Sequence, residues 1–390
     1  MKLDDLGFVG RGKSKHRPRN DPSLYGGPYP FVQTGDVKEA ELWLTQYSQT
    51  YNEKGLAQSK LWPIGTLCIT IAANIAETAI LKIPACFPDS VVGFLPHPRK
   101  ADTRFIKYYI ETLKLRMQNV SKGTTQDNLS VDKLTSFDFD VPEFSMQERI
   151  ASILSAYDDL IENNTRRIRI LEEMAQMLYR EWFVNFRFPG HEKVRIVESE
   201  LGPIPEGWGA KKLGNVLTLE YGKALKESDR LGGSVPVYGS SGVVGYHSQK
   251  LTGGPGIIVG RKGNVGSVFF CDSDFWVIDT AYYVRSELSL YFLYFNLLTQ
   301  NFLNNDAAVP GLNRNQAHSL PVVVPDSKAL TGFGRIAAPM FDLRRCLEAR
   351  NTNLRLTRDL LLPKLISGEI PVEAARLCGA DPSTLVERNG

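Results

Sequence analysis

What most constrains this chain is an internal repeat, because two copies of one sequence must build two copies of one fold. Lys2-Leu3-Asp4-Asp5-Leu6, followed by Gly12-Lys13, returns 210 residues later as Lys212-Leu213-Gly214-Asn215-Val216, followed by Gly222-Lys223. Leu67-Cys68-Ile69 with Asn74-Ile75 matches Ile257-Ile258-Val259 with Asn264-Val265 at an offset of 190. Asn128-Leu129-Ser130 and Phe137 to Pro142 match Gly311-Leu312-Asn313 and Leu320 to Pro325 at an offset of 183. No single match convinces, but their common order does. The shrinking offset means longer early loops in the first copy. The copies are expected at 1–144 and 206–329.

Within each copy, short apolar runs such as Thr66 to Ile71 and Gly256 to Val259 are bounded by Gly, Pro and Asn, the pattern of strands. One helix per copy is expected, from Phe105 to Met117 and from Leu290 to Phe302. Each copy is therefore a small α+β domain.

A helical stretch of about forty residues follows each copy. In the first (145–187), Ile150, Leu154, Tyr157, Ile161, Asn164, Ile168, Leu171, Ala175, Leu178 and Trp182 recur in steps of four and three, the a/d seam of a coiled coil. In the second (330–370), Ile336, Met340, Leu343, Leu347, Arg350, Leu354, Thr357 and Leu361 do the same at an offset of 186. Asn164 and Arg350 fall on one rung, where polar residues set register at a cost in stability. Pro363 should end or kink the second helix. Helices of roughly 55 to 60 Å outlast the face of a small domain, so they are expected to bury their seams on each other. The fold class is then α+β: two similar domains separated by two long helices in an antiparallel coiled coil, with pseudo-two-fold symmetry. Residues 188–205 read as a linker and 371–390 as a C-terminal tail.

Composition agrees with this and excludes several classes. With 43% hydrophobic and 23% charged residues among 390, the chain is globular. No apolar run reaches the roughly 18 to 20 residues that span a bilayer, and no secretion signal follows Met1, so a cytoplasmic location is expected. The five cysteines form no CxxC pair. A net charge of +3 does not announce nucleic acid by itself, so a basic footprint must be local.

Catalytic motifs are weak. Gly260 to Gly266 lacks the spacing of a dinucleotide fingerprint and a Walker lysine. There is no Asn-Pro-Pro-aromatic tetrapeptide, and the five histidines do not cluster. Asp36-Val37-Lys38 and Asp326-Ser327-Lys328 fit the tail of a nuclease metal site, a match loose enough to occur by chance. No catalytic, cofactor or metal residue is assigned. The polar loops carry more. Lys13, Lys15, Arg17 and Arg19 lie in a basic, Gly- and Pro-broken loop suited to phosphate, with Lys223 and Lys226 in the equivalent place. Lys122, Thr124, Thr125 and Gln126 match Asn313, Arg314 and Asn315 in loops dense in base-reading side chains. Arg261, Lys262 and Asn264 stand opposite the uncharged loop holding Asn74. Each loop alone is as easily a turn. Recurring in both copies with different content, they suit one scaffold reading two targets.

The chain resembles the specificity (S) subunits of type I restriction-modification systems over almost its whole length. The likeness rests on the domain-helix-domain-helix order, the Gly-Thr-Thr-Gln-x-Asn-Leu loop, Val141 to Ile150, Ile-Pro-Glu-Gly-Trp at 204–208 and Leu-Leu-Pro-Lys-Leu-Ile-Ser-Gly-Glu-Ile at 361–370. The resemblance implies two target-recognition domains, each reading half of a split double-stranded DNA site. It also implies helices that serve as spacer and as docking surface for DNA adenine methyltransferase (M) subunits, with restriction (R) subunits joining where present. S-adenosylmethionine would sit on the M subunits and ATP with magnesium on the R subunits, leaving this chain without a cofactor. Two rival readings stay open: a two-headed protein-binding adaptor, and a metal-dependent nuclease using Asp36 or Asp326.

Overall fold

The computed structural model describes residues 1–121, 128–230, 232–302 and 311–373. It divides into two compact units, Met1–Thr165 with Ala349–Gly390, and Arg166–Glu348. In the first unit, strands Gly7–Arg11, Val91–Pro96, Leu67–Thr70, Thr78–Leu81 and Trp43–Leu44 lie side by side in that order. A second sheet orders Gln49–Tyr51, Tyr25–Phe31, Ala85–Cys86 and Leu61–Trp62. Leu67–Thr70 and Thr78–Leu81 are buried on both faces, which is why they read as continuous apolar runs rather than alternating ones. Helix Thr103–Ser121 contributes Phe105, Ile106, Ile110 and Met117 to the same core.

The second unit repeats this topology. Thr218–Tyr221, Ala281–Arg285, Gly256–Gly260 and Val268–Cys271 are neighbours in the order of their counterparts in the first unit. Val235–Gly239 pairs parallel with Trp276–Val277, as Tyr25–Phe31 does with Ala85–Cys86. Short helices Val131–Ser136 and Arg314–Ser319 close each copy. The offset falls from 210 to 190 where the first copy inserts helices Thr34–Glu39 and Glu53–Ala57, elements with no helical counterpart in the second.

Two details show that the repeat is one of backbone conformation. A Cβ on Gly12 would lie 2.2 Å from the Pro88 carbonyl oxygen, and one on Gly222 2.1 Å from that of Ile278. The following Lys13 and Lys223 amides donate to Phe87 and Val277 at 3.0 and 2.8 Å. The repeated Gly-Lys pair is thus a close crossing. Next, the loop after the central strand turns left-handed at Ala73 and Ala76 (φ 61° and 63°) in one copy, and at Gly263 and Gly266 (φ 78° and 76°) in the other.

Helix Phe144–Tyr179 runs on into a π turn, Arg180–Val184, and the second long helix is Ser327–Ile366. Pro363 lies within its last turn, and the helix stops three residues later. In the first unit Asn164 meets Asn351 while Asp158 meets Arg358, so these helix segments run antiparallel. In the second, Glu172 meets Arg344 while Trp182 meets Phe333, again antiparallel. Each segment also packs on its own domain: Ile150 and Leu154 share a core with Phe105, and Phe341 lies 4.7 Å from Phe270.

The first seam lies as its spacing requires, with Ile150, Leu154, Ile161, Asn164, Ala175 and Trp182 buried. The second is displaced. Ile336 and Leu343 are 41% and 39% exposed, whereas Phe333, Ala337, Phe341, Arg344, Leu347 and Asn351 are buried. Arg350, expected on the polar rung, is exposed; Asn351 takes its place and accepts from the Asn164 amide at 2.9 Å. The cause is tertiary: Phe333 and Phe341 fill the aromatic core of the second domain and rotate the helix face away from the strict heptad. Residues 188–205, read as a linker, form a hairpin of Ile196–Ser199 with Gly202–Pro205, and Phe188 stacks on Trp208 at 5.0 Å. Among the described residues no helix is long and apolar enough to cross a membrane.

Left-handed backbone costs an L-residue about 1–2 kcal/mol. Gly263→Ala is therefore expected to destabilise by about 1–2 kcal/mol. Ala73→Gly is expected to be neutral or stabilising by up to about 1 kcal/mol, because relief of strain offsets the added chain entropy. Urea unfolding followed by tryptophan fluorescence checks both, and equal losses at the two positions would refute the shared conformation.

Candidate nucleic-acid interface

In each copy, sheet topology brings separate loops to one end of the main sheet. Arg11 pairs with Val92 and Thr70 with Val91, so residues 12–19 and 71–76 leave the sheet side by side. Ala72 bridges Asn128, and the Leu129 amide donates to Ile71 at 2.9 Å, which brings in the third loop. The second copy repeats this: Tyr221 pairs with Tyr282, Gly260 with Ala281, and Lys262 with Gly311. The Leu312 amide donates to Arg261 at 2.8 Å. Three segments far apart in sequence, the third represented by Asn128 and Leu129 or by Gly311 and Leu312, thus meet at one sheet end in each copy.

The first surface is basic, and its cations are differently engaged. Lys13 and Lys15 are exposed and enter no ion pair among the described residues. Arg17 folds back, donating to the carbonyls of Ser14 and His16 at 2.7 and 2.8 Å. Arg19 is neutralised by Asp89, which accepts through both oxygens at 2.7 and 2.9 Å. Asn74 is half-buried, and its backbone carbonyl accepts from the Thr70 hydroxyl. Lys122, Thr124, Thr125 and Gln126 lie outside the described residues. One cation was missed in the sequence: Lys60 Nζ sits 3.6 Å from the Trp62 ring and 4.7 Å from Phe8. Burial and then the nearby Lys13 charge lower its pKa.

The second surface is cationic and pre-arranged. Arg261 and Arg314 lie 4.9 and 5.0 Å from the ring of Tyr221, which is 46% exposed. Arg261 also donates to the Asp279 carbonyl at 3.1 Å. Such stacking restrains a guanidinium while leaving N–H groups to recognise a ligand. Lys223, Lys226, Lys262 and Asn264 are exposed around it. Asn313 is different: its side-chain oxygen caps helix Arg314–Ser319, accepting from the amides of Asn315 and Gln316 at 2.9 and 3.3 Å. Asn315 is exposed and contributes its amide to that cap. Tyr221 was missed because only pairing across the sheet shows that Arg261 and Arg314 converge on it.

The two aspartates of the nuclease reading are helix caps. Asp36 accepts from the Gln33 amide at 2.7 Å and Asp326 from the Ala329 amide at 2.7 Å. Among the described residues no group of three or more His, Cys, Asp or Glu side chains is placed to hold a metal ion.

The family described as "Type I restriction modification DNA specificity domain" matches residues 1–173 and 205–354. The chain is similar to the type I restriction enzyme MjaIX specificity subunit of Methanocaldococcus jannaschii, 24% identical, with 95% of this chain and 93% of that protein covered. It is similar to the HindI specificity subunit of Haemophilus influenzae at 23% identity, covering 64% of this chain and 72% of that one. Among solved structures, the type I S subunit from M. genitalium superposes with a TM-score of 0.59 at 18% identity, covering 94% and 95% of the two chains, a likeness of fold.

His318 lies beneath the second surface, and its Nε2 accepts from the Leu219 amide at 3.1 Å, which requires the neutral ring. Burial, then the Arg314 charge, depresses its pKa below the ordinary 6.5. With the folded value below the unfolded one, the stability contribution is complete above 6.5 and is lost as pH falls through the folded value. The second domain is expected to weaken from about pH 6.5 downward. Replacing His318 with Gln should flatten that slope in thermal melts, and an unchanged slope would remove His318 as its source.

Proposed function

The chain belongs to the type I restriction-modification DNA specificity family, and we propose that it reads a bipartite DNA target through the paired loop surfaces described above. It is a DNA-recognition subunit without catalysis of its own, and its partners are double-stranded DNA and the methyltransferase subunits, joined by restriction subunits where the system has them. S-adenosylmethionine then belongs to the methyltransferase subunits, ATP and magnesium to the restriction subunits, and the complex works in the cytoplasm.

One observation carries the reading: the same three segments meet at the same sheet end in both copies, yet the loops they belong to carry different side chains. A symmetric homodimer reads two identical half-sites, whereas two diverged copies read unlike ones. In the second copy Arg261 and Arg314 carry guanidinium forks of the kind that suit guanine O6 and N7 in the major groove. In the first, Lys13 and Lys15 are suited to phosphate, and base reading falls to Asn74, Lys122, Thr124, Thr125 and Gln126. Phosphate contacts set position and affinity; base contacts set sequence.

Mobility shifts of the assembled complex on random and selected duplexes, across salt, test this. Lys13→Ala and Lys15→Ala should each weaken all duplexes alike and reduce the salt slope by about one. Arg261→Ala and Arg314→Ala should each cost about 1–3 kcal/mol and relax sequence preference in one half-site alone. Weakening without relaxed preference would reduce the arginines to backbone contacts. Deleting one heptad from both long helices should leave the half-sites unchanged and shorten the preferred spacer. An unaltered spacer would show that the helices do not set it.

A further inference from the structure

We propose that the long helices carry a charge code that matches each half of this chain to the other half and rejects a second copy of itself. The repeat makes such discrimination necessary. Each half consists of one domain and one helix, the domains share a topology, and the buried helix positions Gln147, Ala151, Ser155, Asp158 and Ile161 recur 186 residues later as Phe333, Ala337, Phe341, Arg344 and Leu347. Two first halves, or two second halves, could bury much the same apolar seam.

The charged residues of the seam break that equivalence. Asp158 and Arg344 occupy corresponding positions 186 apart, and so do Glu172 and Arg358. In the first unit Asp158, 2% exposed, pairs with Arg358 and accepts from the Tyr108 hydroxyl. In the second unit Arg344, 8% exposed, lies 3.5 Å from Glu172 and 2.5 Å from Asp272. The first helix therefore supplies an acid at both places and the second helix a base at both. A two-fold pair of first halves would set Asp158 against Glu172. A two-fold pair of second halves would set Arg344 against Arg358. It would also strip Arg355 and Arg358 of Glu41, a residue of the first domain that pairs with Arg355 and stands 4.0 Å from Arg358.

Burial of Asp158, Arg344 and Arg358 gives the code its force, Glu172 being the half-exposed member. A charge removed from water and facing its like is screened little by salt and cannot turn outward without breaking the seam. The hydrogen bond between Asn164 and Asn351 adds register, whereas the ion pairs choose the partner, as charges do in paired coiled coils.

The test uses the folded full-length chain with a protease site in the exposed turn at Glu200 and Leu201, cleaved after purification. The nicked protein is left to exchange in sub-denaturing urea, and native mass spectrometry counts the three possible pairs. Mixed pairs should exceed either self-pair by about tenfold or more. A statistical 1:2:1 distribution would overturn the code. Asp158→Arg combined with Arg358→Asp keeps an ion pair in the intact chain, yet makes each half complementary to itself. All three pairs should then form in comparable amounts, and mixed pairs as dominant as in the wild type would also overturn it. Glu172→Arg, at a half-exposed side chain, gives a second reading should the double variant fail to fold. It should bring out self-pairs of the first half, and their absence counts against the code.

Discussion

The antiparallel contact between the start of one long helix and the end of the other, made on the core of a domain, is the constraint on which the rest of each unit depends. In the first unit Ile150, Leu154, Leu362 and Leu365 share one core with Phe105, Ile110 and Met117. In the second, Trp182, Phe183, Phe333 and Phe341 share one with Phe292 and Phe295. Each helix segment pairs with the other helix and covers a domain. The orientation of a helix therefore fixes the orientation of the domain beneath it. Burial of a large aromatic side chain contributes roughly 1.5–3 kcal/mol, so a cluster of this kind leaves little freedom for the domain to swivel on its helix.

The same economy governs the recognition surfaces. A sheet end held by backbone hydrogen bonds positions the loops without using their side chains. The crossings at Gly12 and Gly222 and the left-handed turns at 73, 76, 263 and 266 are matters of backbone alone. Side chains at Lys13, Asn74, Arg261 or Arg314 can therefore change with little effect on the frame that aims them. Ala73 and Ala76 illustrate how firmly the frame is held, since both keep a conformation that glycine adopts without strain.

The repeat, the strands and the first seam were legible in the sequence because each is a local pattern repeated at a fixed distance. Arg350 was misplaced because a heptad count carries no knowledge of Phe341, whose contacts with Phe270 and Tyr291 turn the helix. The hairpin at 196–205 was hidden because its core partners, Phe188 and Trp208, lie outside it. At the surfaces, residue type picked out Arg261 and Arg314 but not the tyrosine between them. Nor could it tell Lys13, exposed, from Arg19, already held by Asp89. Composition names the side chains that can meet a ligand, and topology decides which of them remain available to do so.

Asymmetry laid over a symmetric frame unites the two functions of the chain. At the sheet ends it takes the form of unlike loops, uncharged around Asn74 and cationic around Tyr221. In the seam it takes the form of acids on one helix and bases on the other. A reader of two unlike half-sites needs both, because unlike loops would lose their meaning if equal halves could pair. Fusing the copies in one chain raises the effective concentration of the correct partner. The buried charges act on a different quantity, the relative affinity of right and wrong partners. Linkage and charge thus protect the same outcome by independent routes, one through proximity and the other through energy.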